Sequence, residues 1–336
     1  MKRAFVTGIS GQDGAYLAQF LLGQGYQVFG GERRGSSPNN WRLKALGIHG
    51  EVELVPFELA DDASIYRAIE VAQPDEIYNL AAQSFVPVSF QQPCYTGDVN
   101  GSAVARILEA IRHLAPECRF YQASSSEMFG LAHETPQRET TPFHPRSPYA
   151  AAKAYAHYLT VNYREAYGLH ASCGIAFNHE SPLRGAEFVT KKIVVDLARI
   201  HRGDLDCLRL GNLDARRDWG FAGDYVKGMW QMLQQSGPED YILATGETHS
   251  IREFVEWACA VLDWSIEWTG EGGEERGIET SSGRMLVAID PALYRPSDVP
   301  ALLGDATKAR ETFGWQPLHT AGQIAFMMMD HELSHV

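Results

Sequence analysis

The sequence predicts an α/β fold, a doubly wound parallel sheet followed by a smaller C-terminal lobe. Three observations carry that expectation. Short apolar runs alternate with segments of helical periodicity from residue 4 to residue 177, the pattern left by repeated βαβ units. A glycine-rich turn joins the first run to the first helix. Beyond about residue 178 the rhythm changes, and Pro, Gly and Arg become frequent, as in Ser181-Pro182-Leu183-Arg184-Gly185.

The elements follow in order. Residues 4–7 are a short apolar strand ending at Gly8, and residues 13–24 carry Tyr16, Leu17, Phe20 and Leu21 at helical spacing. Residues 26–30 read as the second strand, which completes the opening of a nucleotide-binding βαβ unit. Strands are then expected at 53–57, 76–80, 119–123 and 172–177. Helices are expected at 62–72, capped by Asp61 or Asp62, and at 99–114 and 148–167. The expected division is a dinucleotide-binding domain over 1–177, with returning segments around 216–245, and a mostly substrate-binding domain over 178–336. The glycine-rich stretch 270–277 reads as a mobile loop.

Composition narrows the functional classes. At 336 residues the chain accommodates two domains, or one with an appended lobe, and 45% hydrophobic content supplies a full core. A formal net charge of −13 repels phosphate backbones and anionic lipid, which argues against nucleic-acid and membrane partners. Anionic ligands then require local arginine clusters. The five cysteines are scattered with no C-x-x-C pair, which favours a reducing compartment and buried thiols over a disulfide framework. The N-terminal apolar run is too short for a signal-peptide core, and no run approaches a membrane span. A cytoplasmic location is expected.

Four motifs carry chemistry. Gly8-Ile9-Ser10-Gly11-Gln12-Asp13-Gly14 follows a strand and opens a helix, so a pyrophosphate can sit on the helix N-terminus of a Rossmann-like unit. Arg33-Arg34-Gly35-Ser36-Ser37 lies just past the second strand. Arginine there matches a ribose 2′-phosphate, so NADP is favoured over NAD, with Glu32 as the dissenting signal. Tyr149 and Lys153 are one helical turn apart, and a neighbouring ammonium lowers a phenol's pKa, which suits Tyr149 to acid–base work. Glu127 follows Ser124-Ser125-Ser126 at a strand end, where a carboxylate can abstract a proton.

At these residues the chain resembles the extended short-chain dehydrogenase/reductases, and within them the GDP-mannose 4,6-dehydratases. The resemblance rests on five further stretches: 79–84 (NLAAQS), 146–150 (RSPYA), 178–182 (NHESP), 210–212 (LGN) with 217–220 (RDWG), and 294–296 (YRP) with 303–305 (LGD). The resemblance implies that bound NADP is reduced and reoxidised within one turnover of GDP-mannose. Tyr149, with Lys153, takes the proton of the sugar 4-hydroxyl, while Ser125 holds that oxygen. Glu127 takes the C5 proton, the 6-hydroxyl leaves as water, and Tyr149 reprotonates C5 to give GDP-4-keto-6-deoxymannose. It also implies that Gly8, Ser10, Gly11, Gln12, Asp13, Gly14, Arg33, Arg34, Ser36, Glu58, Leu59, Leu80, Ala81, Ala82 and Ser84 bind the cofactor. Ser84 also joins the substrate set, with Asn178, Arg184, Val189, Lys192, Leu210, Gly211, Asn212, Arg217, Arg295 and Asp298. The segment 33–42 reaches a neighbouring subunit in such proteins, which implies a homotetramer.

Some positions depart from the family pattern. Related dTDP-glucose dehydratases carry an Asp–Glu pair where Ser126 and Glu127 stand, so one carboxylate must act as both base and acid. Ser125 replaces a common threonine, Glu58 a common aspartate and Asp298 a common glutamate. A 4-epimerase or 4-reductase would need Tyr149 and Lys153 but no base for C5, and Glu127 discriminates against both. A silent NADP-binding protein would not need the intact set. His331-Glu332-Leu333-Ser334-His335 matches a zinc-protease motif but ends one residue before the last. No third ligand follows it, and no metal is expected.

Overall fold

The computed structural model describes residues 1–36, 39–294 and 302–334. Its centre is a seven-stranded parallel sheet. The strands are β1 (Arg3–Thr7), β2 (Gln27–Glu32), β3 (Glu53–Pro56), β4 (Glu76–Asn79), β5 (Arg119–Ser125), β6 (Ala171–Ala176) and, after four strands named below, β11 (Tyr241–Leu243). Their order is β11-β6-β5-β4-β1-β2-β3. The chain winds outward from β1 to β3, then restarts at β4 on the other side. The reversal opens a crevice at the carboxyl ends of β1 and β4, where such sheets take ligands. Ala4, Phe5 and Val6 are all buried, as a strand covered on both faces requires.

Helices cover both faces: α1 (Gln12–Gly23), α2 (Trp41–Ala45), α3 (Asp62–Ala72), α4 (Val86–Gln91), α5 (Pro93–Gly97), α6 (Ala103–Leu114) and α7 (Pro148–Tyr167). Local chemistry fixes their ends. Asp61 caps α3 by accepting from the Ala63 amide at 3.0 Å, and Ser147 caps α7 through the Ala150 amide at 3.1 Å. Pro148 starts α7, and Gly168 ends it at φ 71°. The helix expected from residue 99 instead begins at Ala103, because Asp98–Ser102 forms a wider π-turn. Within that turn the Asn100 side chain exchanges hydrogen bonds of 2.8 Å with the Gln83 backbone. This anchors the loop that follows β4.

A second body packs beside the first. It contains β7 (Asn178–Glu180), α8 (Val189–Arg202), β8 (Leu208–Leu210), β9 (Arg216–Arg217), β10 (Trp219–Phe221), β12 (His249–Ser250), α10 (Ile251–Ala260), β13 (Ile266–Thr269), β14 (Arg276–Glu279), β15 (Met285–Ile289) and α12 (Ala321–Ser334). Ile193, Leu197, Phe254, Leu286, Ile324 and Met328 centre its core. Between these elements α9 (Ala222–Gln234) and β11 rejoin the first body. Met229 and Leu233 pack in the same core as Leu17 and Leu21, and β11 pairs with β6. The remaining helix, α11 (Thr307–Phe313), sets Phe313 edge-on to Tyr241 of β11.

Two expectations are corrected. The stretch 270–277 is the turn and first residues of an antiparallel pair between β13 and β14, and Glu275 is ion-paired to Arg252. The cysteines are free, as expected, but Cys94 is exposed and Cys207 half-buried. Among the described residues no helix is long and apolar enough to cross a membrane.

Candidate active site

The cofactor end is built at the carboxyl tip of β1. Gly8 has φ +69°, and a Cβ there would lie 2.9 Å from the Ala81 amide nitrogen. At Gly14 a Cβ would lie 2.3 Å from the Gly8 carbonyl oxygen. A side chain at either position would collide with neighbouring backbone, so glycine is what lets the turn close this tightly at the start of α1. Gly11 precedes α1 without a side-chain cap, which leaves first-turn amides free for an anion. Thr7 locks the facing loop, accepting from the Leu80 and Ala81 amides at 3.0 Å each and donating to Asn79 at 2.8 Å. Ala82 and Ser84 continue along this loop, and Ser10 lends its carbonyl to Arg42 at 2.9 Å.

Beyond β2, Arg33, Arg34 and Ser36 are exposed, and Arg33 reaches the Tyr95 hydroxyl at 3.3 Å. Glu58 and Leu59 follow β3 half-buried. The Glu58 amide is held by Ser64 at 3.0 Å, and the Leu59 carbonyl by Arg106 at 3.2 Å. Ser37, Arg295 and Asp298 lie outside the described residues.

Asp13 does more than sequence reasoning anticipated. Its carboxylate lies 2.8 Å from His179 Nε2 and accepts from Gln12 at 2.9 Å. Burial raises its pKa, but the His179 charge and hydrogen bonds outweigh that and hold it at about 2. His179 is stacked on Tyr225 with centroids 4.7 Å apart, and Ser181 donates to Gln12 at 2.7 Å. The start of α1 is thereby fastened to β7. These partners lie more than 160 residues apart, and nothing local in the sequence marks them.

The candidate acid–base residues converge where β5 meets α7. Ser125 ends β5, and the 3₁₀ turn Ser126–Met128 carries Glu127. Ser125 accepts from the Glu127 amide at 3.3 Å and is close enough to the Tyr149 phenol to act on its acidity. Ser126 is buried and Glu127 half-buried. Tyr149 and Lys153 are both buried, and the ammonium lies 5.9 Å from the phenol ring centroid. Lys153 Nζ donates to the Ala123 carbonyl at 2.8 Å. Burial pushes the Tyr149 phenol up to about 12, and the Glu127 charge raises it while Ser125 opposes. Burial also lowers Lys153 to about 8. Burial therefore dominates the phenol's acidity and outweighs the opposing effect of Ser125.

The nucleotide-end candidates are more dispersed. Asn178 starts β7, opposite Trp219 of β10. Val189 and Lys192 lie on the first turn of α8, where Lys192 is paired with Asp196 at 2.7 Å. Arg184 is committed to Glu180 at 3.0 Å and lies 3.6 Å from the Phe188 ring centroid. Leu210 ends β8, and Gly211 passes so close to Leu293 that a Cβ would lie 2.9 Å from its carbonyl oxygen. Asn212 accepts from the Asp214 amide at 3.0 Å. Arg217 is buried on β9, hydrogen-bonded to the Arg216 carbonyl at 2.8 Å.

A family profile described as GDP-mannose 4,6 dehydratase matches residues 5–328. The chain belongs to the GDP-mannose 4,6-dehydratase family. Its relatives include the GDP-mannose 4,6-dehydratase of Sinorhizobium fredii, 52% identical over all of this chain and 97% of that protein. The human GDP-mannose 4,6 dehydratase is 48% identical over 99% of this chain and 90% of its own length. Among solved structures, a Bacillus anthracis dTDP-glucose 4,6-dehydratase in complex with NAD covers all of this chain and 97% of its own, with TM-score 0.81 and 21% identity. RMD from Pseudomonas aeruginosa, complexed with NADPH, gives TM-score 0.78 at 22% identity, with each chain fully covered. These two share the fold.

Proposed function

We propose that this chain is an NADP-dependent GDP-mannose 4,6-dehydratase, a lyase that converts GDP-mannose to GDP-4-keto-6-deoxymannose and water. The observation that carries the reading is the meeting of Tyr149, Ser125 and Glu127 at one strand end, in a chain of this family. Residues 1–177, with the returning stretch around 216–245, hold NADP, and residues 178–336 mostly hold the nucleotide sugar. Arg33, Arg34 and Ser36 favour NADP through its 2′-phosphate. A homotetramer and a cytoplasmic location complete the proposal.

When bound, NADP⁺ would supply the acceptor for hydride from sugar C4 and its donor to C6, held by the glycine turn and by Arg33, Arg34 and Ser36. Ser125 holds the sugar 4-oxygen, and the Tyr149 phenolate takes its proton. The resulting 4-ketone acidifies C5–H. Glu127 removes that proton and then protonates the departing 6-hydroxyl, one carboxyl group switching from base to acid. Tyr149 returns a proton to C5. Lys153, tethered to Ala123, keeps positive charge near the phenolate. Asn178, Lys192 and Arg217 are assigned to the GDP moiety, where guanidinium and ammonium groups suit a pyrophosphate.

The test supplies GDP-mannose carrying deuterium at C4, with no added NADPH. The expected product has lost one water and carries the deuterium at C6. An epimerised sugar, or turnover only while NADPH is consumed, would sink the reading.

A further inference from the structure

His157 is a titratable group that the mechanism above does not use. It sits four residues beyond Lys153 and eight beyond Tyr149, so all three project from one face of α7. Each meets a different residue at the end of β5. Tyr149 faces the Ser125 side chain, Lys153 donates to the Ala123 carbonyl at 2.8 Å, and His157 Nδ1 is bonded to the Ser124 hydroxyl at 3.0 Å. Ser124 and His157 are both buried. We propose that His157 is a positioning residue that sets the register of α7 on β5, and with it the reach of the Tyr149 phenol to the sugar 4-oxygen.

The imidazole is itself held. Its Nε2 lies 3.8 Å from Asp240, just ahead of β11. Asp240 is gripped by both guanidinium nitrogens of Arg164, at 2.9 and 3.0 Å, and accepts from the Cys173 amide at 3.2 Å. Phe143 packs edge-on against the ring at 5.0 Å. The ligand-capable atoms of His157, Cys173 and Asp240 lie within 4.8 Å of one another, which invites a metal-site reading. A cation would have to displace the Arg164 guanidinium from both Asp240 oxygens, so the cluster fits a fastener better. Ser124 lies between the two residues that Lys153 and Tyr149 hold. Losing its bond lets the strand end slide against the helix without exposing anything to water.

This inference rests on the proposed reaction, and the test separates the two. His157→Leu keeps an apolar volume at the site but removes the bond to Ser124. His157→Asn offers an amide near the Nδ1 position and should restore much of it. With GDP-mannose deuterated at C4, the leucine variant is expected to lose about tenfold or more in kcat with KM within about twofold of the parent. Its deuterium isotope effect on kcat should rise, because a displaced phenol slows C4–H cleavage. The asparagine variant should recover both values. A purely structural role lowers the folded fraction but leaves the isotope effect per active molecule unchanged, and that result overturns the inference. If the leucine variant does not fold, Ser124→Ala removes the same bond from the strand side and decides by the same readout. Absence of dehydration in the parent protein would fail the proposed function instead.

Discussion

Glu127→Gln is the most informative single change. The amide keeps the size of the side chain but cannot accept the C5 proton or protonate O6. General acid–base catalysis contributes about 10²–10⁴-fold. Because Glu127 acts at two steps in the proposed sequence, the loss is expected near the top of that range, about 5 kcal/mol at about 1.4 kcal/mol per tenfold. Whether another carboxylate could substitute is answered by the site. Ser126 brings no acid, and Asp13, whose charge also acts on Tyr149, is bound to His179 and held at about 2. At neutral pH it has no appetite for a proton. Cofactor binding should survive, since Glu127 is remote from the glycine turn in sequence and sits on the opposite side of the crevice strand β4. The assay pairs the NADP content of the purified variant with product formation by mass spectrometry and deuterium uptake at C5 from heavy water. Product formation within about threefold of the parent would remove Glu127 from the mechanism.

Other changes probe the rest of the site. Gly14→Ala forces a methyl to 2.3 Å from the Gly8 carbonyl oxygen, so NADPH affinity should fall at least tenfold by fluorescence titration. Asp13→Asn removes the carboxylate paired with half-buried His179 and should cost about 2 kcal/mol in denaturant unfolding at pH 7. Because the Asp13 carboxyl is depressed to about 2 from an ordinary 3.8, its contribution is full above pH 3.8 and is lost as pH falls toward 2. The gap between parent and variant should therefore shrink over that window. Lys153 is displaced the other way, from 10.5 down to about 8. The folded state binds fewer protons than the unfolded chain between those values, so stability rises with pH across them, by up to about 3 kcal/mol. Lys153→Met should abolish that rise, read as the parent-minus-variant difference in unfolding free energy at pH 8 and pH 10. Arg34→Ala should weaken NADPH at least tenfold and leave NADH nearly unchanged.

Much of the fold was legible because its signals are local. The helices at 62–72 and 148–167 follow from Asp61, from Ser147-Pro148 and from Gly168, all within a turn of the ends they define. The glycine turn and the Tyr149–Lys153 pair were legible for the same reason, each being a spacing within one or two turns of chain. What escaped was set by contacts between distant residues. Asn100 holding Gln83 reshapes the start of one helix, and the pairing of β13 with β14 turns an apparent loop into a hairpin. In retrospect, Arg276-Gly277-Ile278-Glu279 offered only one large apolar side chain to announce a strand. His157, His179 and Asp240 look unremarkable in sequence, since each acquires its role from a partner brought close only by the sheet. The upward push of burial on the Tyr149 phenol was hidden for a related reason: residue spacing reports which charges are neighbours, but not how little water surrounds them.

The late arrival of β11 limits how this protein can be divided. The strand that closes the sheet beside β6 is made only some 60 residues after it, most of them in the second body. A fragment cut at residue 177 would present β6 as a raw edge and leave Arg164 without Asp240. Such a piece invites edge-to-edge association. Exchanging the second body for that of another enzyme would therefore require three cuts, after residues 177, 221 and 243, with the 222–243 stretch kept alongside its own sheet.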